Sequence, residues 1–164
     1  MYPQQSRWQL VYIHEIHAAA KPEQRPRITT HKGKIKVFVP RSKWHSWTRL
    51  ELMQNRPPRP FSRPLFVQVL YGMPRHATSR PDIDNLNKSI LDLLVKAKII
   101  KDDRLVVGLL TAKKKTAKPG VLVTIWEWSD ESDDFALAEL PLSATAFEWL
   151  EIQQYTRHVT RARH

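Results

Sequence analysis

The segment from Asp84 to Ala97 narrows the possible folds more than any other part of the chain. On a 100° helical wheel its residues Leu86, Ile90, Leu93, Leu94 and Ala97 form one narrow apolar stripe. A helix of this kind gains its stability by packing that stripe against another apolar layer. Asp84 and Lys88, four residues apart, fall on the opposite side and are left facing outward. Pro81 and Asp82 suit the approach to the helix, because a fixed φ, a capping oxygen and negative charge all favour a helix start.

The strands that can supply the apolar layer are readable on both sides of this helix. Leu65 to Met73 is long and β-rich, and Arg104 to Ala112 and Val121 to Trp128 read as two more strands. The span Lys113–Gly120 between the last two predicts a basic loop. Near the start, Arg7 to His17 alternates, with Leu10, Tyr12, His14 and Ile16 on one face and Val11, Ile13 and Glu15 on the other. Ile28–Thr30 and Lys34–Val39 flank His31-Lys32-Gly33, a hairpin pattern. Ser42 to Gln54 predicts a helix with Trp44, Trp47, Leu50 and Met53 at near-helical spacing, a stripe that belongs to a core more often than to a base-stacking surface. Asn55 to Pro64 holds four prolines and three arginines and reads as a stiff basic connector. Past the acidic stretch Asp130–Asp134, Thr145-x-x-Glu148 resembles a capping box and predicts a helix to about residue 158. The expectation is an α+β fold, a mixed sheet flanked by helices in one domain over 1–128. An acidic linker and C-terminal helical extension then occupy 129–164.

Charge is unevenly placed. Residues 1–126 carry 24 Lys and Arg against eight Asp and Glu, whereas residues 127–164 are net acidic. So basic a segment suits a polyanion, since phosphate neutralisation supplies most non-specific nucleic-acid affinity. No apolar run approaches the roughly 20 residues of a membrane span, the first residues lack the layout of a secretory signal, and there are no cysteines. Disulfides and thiolate zinc sites are excluded, and a cytoplasmic protein without a membrane partner is the expectation.

Within this basic region the acids are concentrated. Asp82, Asp84, Asp92, Asp102 and Asp103 are five of the eight, all within residues 82–103. Two like charges about 4 Å apart repel by roughly 4 kcal/mol at an effective dielectric near 20, so converging carboxylates call for a cation. An oxygen donor set with open water positions suits Mg²⁺, with Mn²⁺ as a substitute. Lys88, one turn past Asp84, is placed to stabilise a phosphate. Taken singly these features are ordinary: Asp-x-Asp is usually a helix cap, Asp-Asp a turn, and Lys88 an i,i+4 partner of Asp84 or Asp92. The seven histidines show no zinc spacing, and with four glycines there is no phosphate loop.

The run Arg80-Pro81-Asp82-Ile83-Asp84-Asn85-Leu86, followed by Lys88, Asp92 and Asp102-Asp103, resembles the signature of the RusA-type Holliday-junction resolvases. Arg25-Pro26-Arg27 with Thr29, Gly33 and Pro40 is similar to the N-terminal region of that family. The resemblance covers about residues 7–128. It implies a homodimeric, Mg²⁺-dependent endodeoxyribonuclease that resolves four-way junctions and related branched DNA by paired phosphodiester hydrolysis. It further implies Asp82, Asp84 and Asp103 as catalytic metal ligands and Lys88 as the catalytic cation, with no small-molecule cofactor. Pro81 departs from the pattern, since some members carry a basic residue there; Arg80 or Arg75 is the candidate substitute. Arg25, Arg27, Lys32, Arg75, Arg80, Lys113, Lys114 and Lys115 are the candidate DNA contacts. The main alternative is a branched-DNA-binding protein that does not cut. A nucleotide- or RNA-processing metalloenzyme fits less well, because Asp84 lies on an open helix face.

Overall fold

The computed structural model describes residues 7–40, 42–77, 80–130, 134–135 and 139–141. In chain order these form β1 (Trp8–Ile16), β2 (Arg27–His31), β3 (Lys34–Phe38), α1 (Lys43–Gln54), β4 (Leu65–Pro74), α2 (Ile83–Lys96), a single 3₁₀ turn (Asp103–Leu105), β5 (Val106–Thr116) and β6 (Gly120–Trp128). Four strands make a mixed sheet in the order β1-β6-β4-β5, and β2 and β3 form a separate hairpin. Only β4 and β5 run parallel; β6 is antiparallel to both β4 and β1. Parallel neighbours need a long crossover, and α2 provides it. The chain is α+β, as its sequence predicts. Among the described residues no helix is long and apolar enough to cross a membrane.

β4 explains why the sheet holds together. On one side its Val67, Val69 and Tyr71, with Val121, Val123 and Ile125 of β6, join the stripe Leu86, Ile90, Leu93, Leu94 and Ala97 of α2 in one buried cluster. On the other side Phe66 joins Trp8, Trp126 and Trp128, against which Phe135 and Leu140 pack. A strand covered on both faces reads as a continuous apolar run, as LFVQVLYG does. The Phe135 ring stands 5.4 Å from Trp8 and 5.9 Å from Trp128, centroid to centroid. Phe135 and Leu140 thus cover the part of the second face formed by Trp8, Phe66, Trp126 and Trp128. The helix predicted to reach residue 158 lies outside the described residues.

Three elements differ from the sequence reading. In α1 the buried side chains are Thr48 and Leu52, while Trp47 and Leu50 are 74% and 60% exposed. This helix packs through Trp44, Thr48 and Leu52, one turn apart, together with Met53, so Trp47 and Leu50, half of the expected stripe, face outward. In β1 a bulge between Leu10 and Tyr12 breaks the alternation. Leu10 turns outward, and both Val11 and Tyr12 pack on the core. Finally, Lys113–Thr116 are not loop but the last residues of β5, paired with Tyr71–Pro74. Gly72 permits this: a Cβ there would stand 2.6 Å from the Thr116 hydroxyl oxygen. The β2–β3 hairpin matches its sequence pattern, with Lys32 and Gly33 at φ +49° and +71°, the two left-handed positions of a type I′ turn.

Candidate active site

α2 starts at Asp82, whose extended backbone caps the helix while its side chain makes no capping hydrogen bond. The carboxylate therefore stays exposed rather than satisfying the helix end. The lead-in is tied down from β5, where Lys113 Nζ donates to the Pro81 carbonyl at 2.7 Å. Two residues on, Asp84 faces a pocket of about 350 Å³ that it shares with Asn87, Lys88, Leu91, Asp92, Asp103 and Leu109. Two acids nineteen positions apart in the chain are thus brought to one place, because α2 leads through a short turn into the 3₁₀ turn that carries Asp103. Asp82 does not line this pocket. Among the described residues no three carboxylates or imidazoles stand close enough together to hold one ion.

The neighbouring acids are divided between structural and open roles. Asp102 accepts from the Arg104 backbone N–H at 2.9 Å and from the Arg104 guanidinium at 2.7 Å. That bonding holds its carboxyl well below the usual carboxylate range. Asp92 is paired with Lys96 at 2.6 Å. Lys88, 71% exposed, is paired at 2.9 Å with Glu23 from the loop between β1 and β2, and its ammonium is pushed up by that hydrogen bond and charge. Asp84 has no ion pair among the described residues. Beneath it the buried Asn87 accepts through Oδ1 from the Tyr71 hydroxyl at 2.8 Å and the Thr111 hydroxyl at 3.1 Å. Burial raises the Tyr71 hydroxyl above its ordinary range, so it stays a donor. With its oxygen engaged from the sheet side, Asn87 has its amide N–H groups left for the pocket.

A second pocket of about 310 Å³ is lined by Arg80, Pro81, Lys113, Lys114 and Lys115 over Met73, Pro74 and Ala77. The five residues from Arg80 to Asp84 run from this basic pocket to the acidic one. Arg80 and the three lysines, four of the candidate DNA contacts, thus line one pocket. Arg75 is exposed in the turn after β4, two residues before Ala77. Arg25, Arg27 and Lys32 are exposed on the loop and hairpin that follow Glu23, and line neither pocket.

Sequence reasoning missed Glu23, Asn87 and His45. His45 Nε2 lies 2.6 Å from Ser89 Oγ, and burial lowers its pKa from the ordinary histidine value. Glu23 did carry a signal, as the one acid between Glu15 and Glu51. Asn87 carried none, because its role depends on two hydroxyls from strands β4 and β5.

The fit to a divalent cation rests on donor chemistry. Mg²⁺ takes oxygen ligands, is commonly held by one or two carboxylates and keeps several waters. Asp84 and Asp103 in one pocket, with Asp82 uncommitted at the neighbouring cap, suit that requirement.

A family model described as endodeoxyribonuclease RusA matches residues 18–126, two thirds of the chain. The chain belongs to the RusA endodeoxyribonuclease family. The RusA match takes in both pockets and every strand but β1, which precedes it, and the end of β6. Among RusA proteins, the crossover junction endodeoxyribonuclease of Lactococcus phage r1t is 28% identical over 123 residues, covering 69% of this chain and 94% of that protein.

Proposed function

We propose that this RusA-family chain is a Mg²⁺-dependent endonuclease that resolves Holliday junctions and related branched DNA by paired phosphodiester hydrolysis in a homodimer. The observation that carries the reading is the meeting of Asp84 and Asp103 with Lys88 in one pocket, beside a second pocket lined by Arg80 and Lys113–Lys115. Asp84 and Asp103 would hold the ion with waters completing its shell, and Asp82, at the neighbouring cap outside this pocket, would have to move closer to join them as a third ligand. When bound, the ion supplies an ionised water and offsets charge that builds on the phosphate.

The chain's own groups do the rest. Arg80, Lys113 and Lys115 engage phosphates beside the cut and set the register of the strand without reading its bases. Lys88 and the Asn87 amide face the phosphate in the acidic pocket, where a cation and a fixed N–H donor stabilise developing negative charge. Tyr71 and Thr111 hold Asn87 in that orientation. A second reading, binding without cutting, draws on the lack of a three-ligand cluster among the described residues.

Cleavage of a synthetic four-way junction, with Mg²⁺ and with chelator, separates the two. Asp84→Asn is expected to lower cleavage by more than the roughly 10–100-fold typical of losing an outer-sphere partner of a metal. Junction binding measured in chelator should be unchanged or tighter. Full cutting by that variant would remove the catalytic assignment, and cutting by the wild type in chelator would remove the metal.

A further inference from the structure

Lys88 has three carboxylates within reach of its helical position or its neighbouring loop, and the choice it makes is informative. Asp84 precedes it by four residues and Asp92 follows by four. An acid four residues before a lysine is the favoured helical pairing. Yet Asp92 is taken by Lys96, and Lys88 reaches out of the helix to Glu23. Glu23 is itself out of character with its surroundings, a single acid in a loop that also carries Lys21 and Arg25 and leads into Arg27 of β2. A loop that only contacted phosphate would gain from losing it.

We infer that Glu23 is a positioning residue: by holding Lys88 on the loop side of α2 it prevents that ammonium from neutralising Asp84, and so keeps Asp84 open to a divalent cation. The inference rests on the metal reading given above. Both partners are well exposed, so the contact is weak and an incoming DNA phosphate displaces it readily. Without Glu23, the nearest uncommitted acid along the helix is Asp84, and Lys88 becomes an internal competitor for the metal.

The test is Mn²⁺ binding to the full chain without DNA, read from the electron paramagnetic resonance of the free ion. Glu23→Gln is expected to weaken binding about two- to fivefold, the scale of one exposed ion pair. In a Lys88→Met background the same substitution should have no effect, because the competitor is gone. Equal affinity for wild type and Glu23→Gln would overturn the inference, as would a loss that persists in full in the Lys88→Met background, which would make Glu23 a direct contributor of charge. Binding that is lost in Asp84→Asn but indifferent to Glu23→Gln sinks this inference alone. Binding absent from the wild type, or untouched by Asp84→Asn, sinks the metal reading with it.

Discussion

Two adjacent aspartates show how much a single position decides. Asp102 spends its oxygens on Arg104 and fixes the turn, whereas Asp103 lines the pocket with Asp84. The pair was visible in the sequence, but its division of labour depends on which carboxylate the turn points inward, and a dipeptide does not encode that. Asn87 is the sharper case. Among the described residues its amide oxygen is the one hydrogen-bond partner of the buried Tyr71 hydroxyl. Asn87→Ala should therefore strand that hydroxyl at a cost of about 1–3 kcal/mol. Tyr71→Phe removes the donor and leaves Asn87 its bond from Thr111, for a cost nearer 1 kcal/mol. Urea denaturation is expected to rank Asn87→Ala below Tyr71→Phe, and the reverse order would mean the amide is satisfied elsewhere.

Elements were legible where one periodic pattern met one packing surface. α2 shows its stripe because the sheet covers it along its whole length, so wheel and burial agree from Leu86 to Ala97. α1 was legible in half of its stripe: Trp44 and Met53 pack on the core with Leu52 while Trp47 and Leu50 do not, because a tryptophan pattern cannot say where the contact ends. The end of β5 was misread for a different reason: Lys113-Lys114-Lys115 has loop composition, yet the parallel partner β4 and the space at Gly72 keep it in the sheet. A lysine run in a strand has an experimental consequence that a loop would not have. Lys113 and Lys115 are exposed, while Lys114 between them is half-buried with its own contact. Each lysine that neutralises a phosphate adds about 0.9 to the salt slope of duplex binding. Replacing Lys113 and Lys115 by Gln should thus lower the slope by roughly 1–2, and Lys114→Gln should change it less. Filter binding of an uncut junction across a salt series measures this; equal effects at all three positions would argue that the segment leaves the sheet.

For the molecule as a whole, the conspicuous feature is apolar surface concentrated between residues 28 and 50, where Ile28, Ile35, Val37, Phe38, Val39, Trp47 and Leu50 are all exposed. Cross-strand pairing sets Ile28 opposite Val37 and Thr30 opposite Ile35, on one face of the β2–β3 hairpin. Arg27, His31, Lys34 and Lys36 alternate with them on the other. A two-stranded hairpin has marginal stability in water, and a clustered apolar face exposed on a chain marks an association surface. The cationic face suits DNA, so under the proposed homodimer the apolar face is the one left for a second copy. The sequence showed the hairpin but not its isolation from the main sheet, which depends on β1 and β6 pairing with each other instead. Ile35→Glu with Val37→Glu places two charges in that face without touching either pocket. If the proposed homodimer forms through this face, sedimentation equilibrium should report dimer for the wild type and monomer for the variant, and junction products should shift from paired cuts to single nicks. A variant that remains dimeric would move the subunit contact off the hairpin, to the outward side of α1 or the free edge of β5. A variant that becomes monomeric yet still makes paired cuts would show that one subunit suffices for both strands.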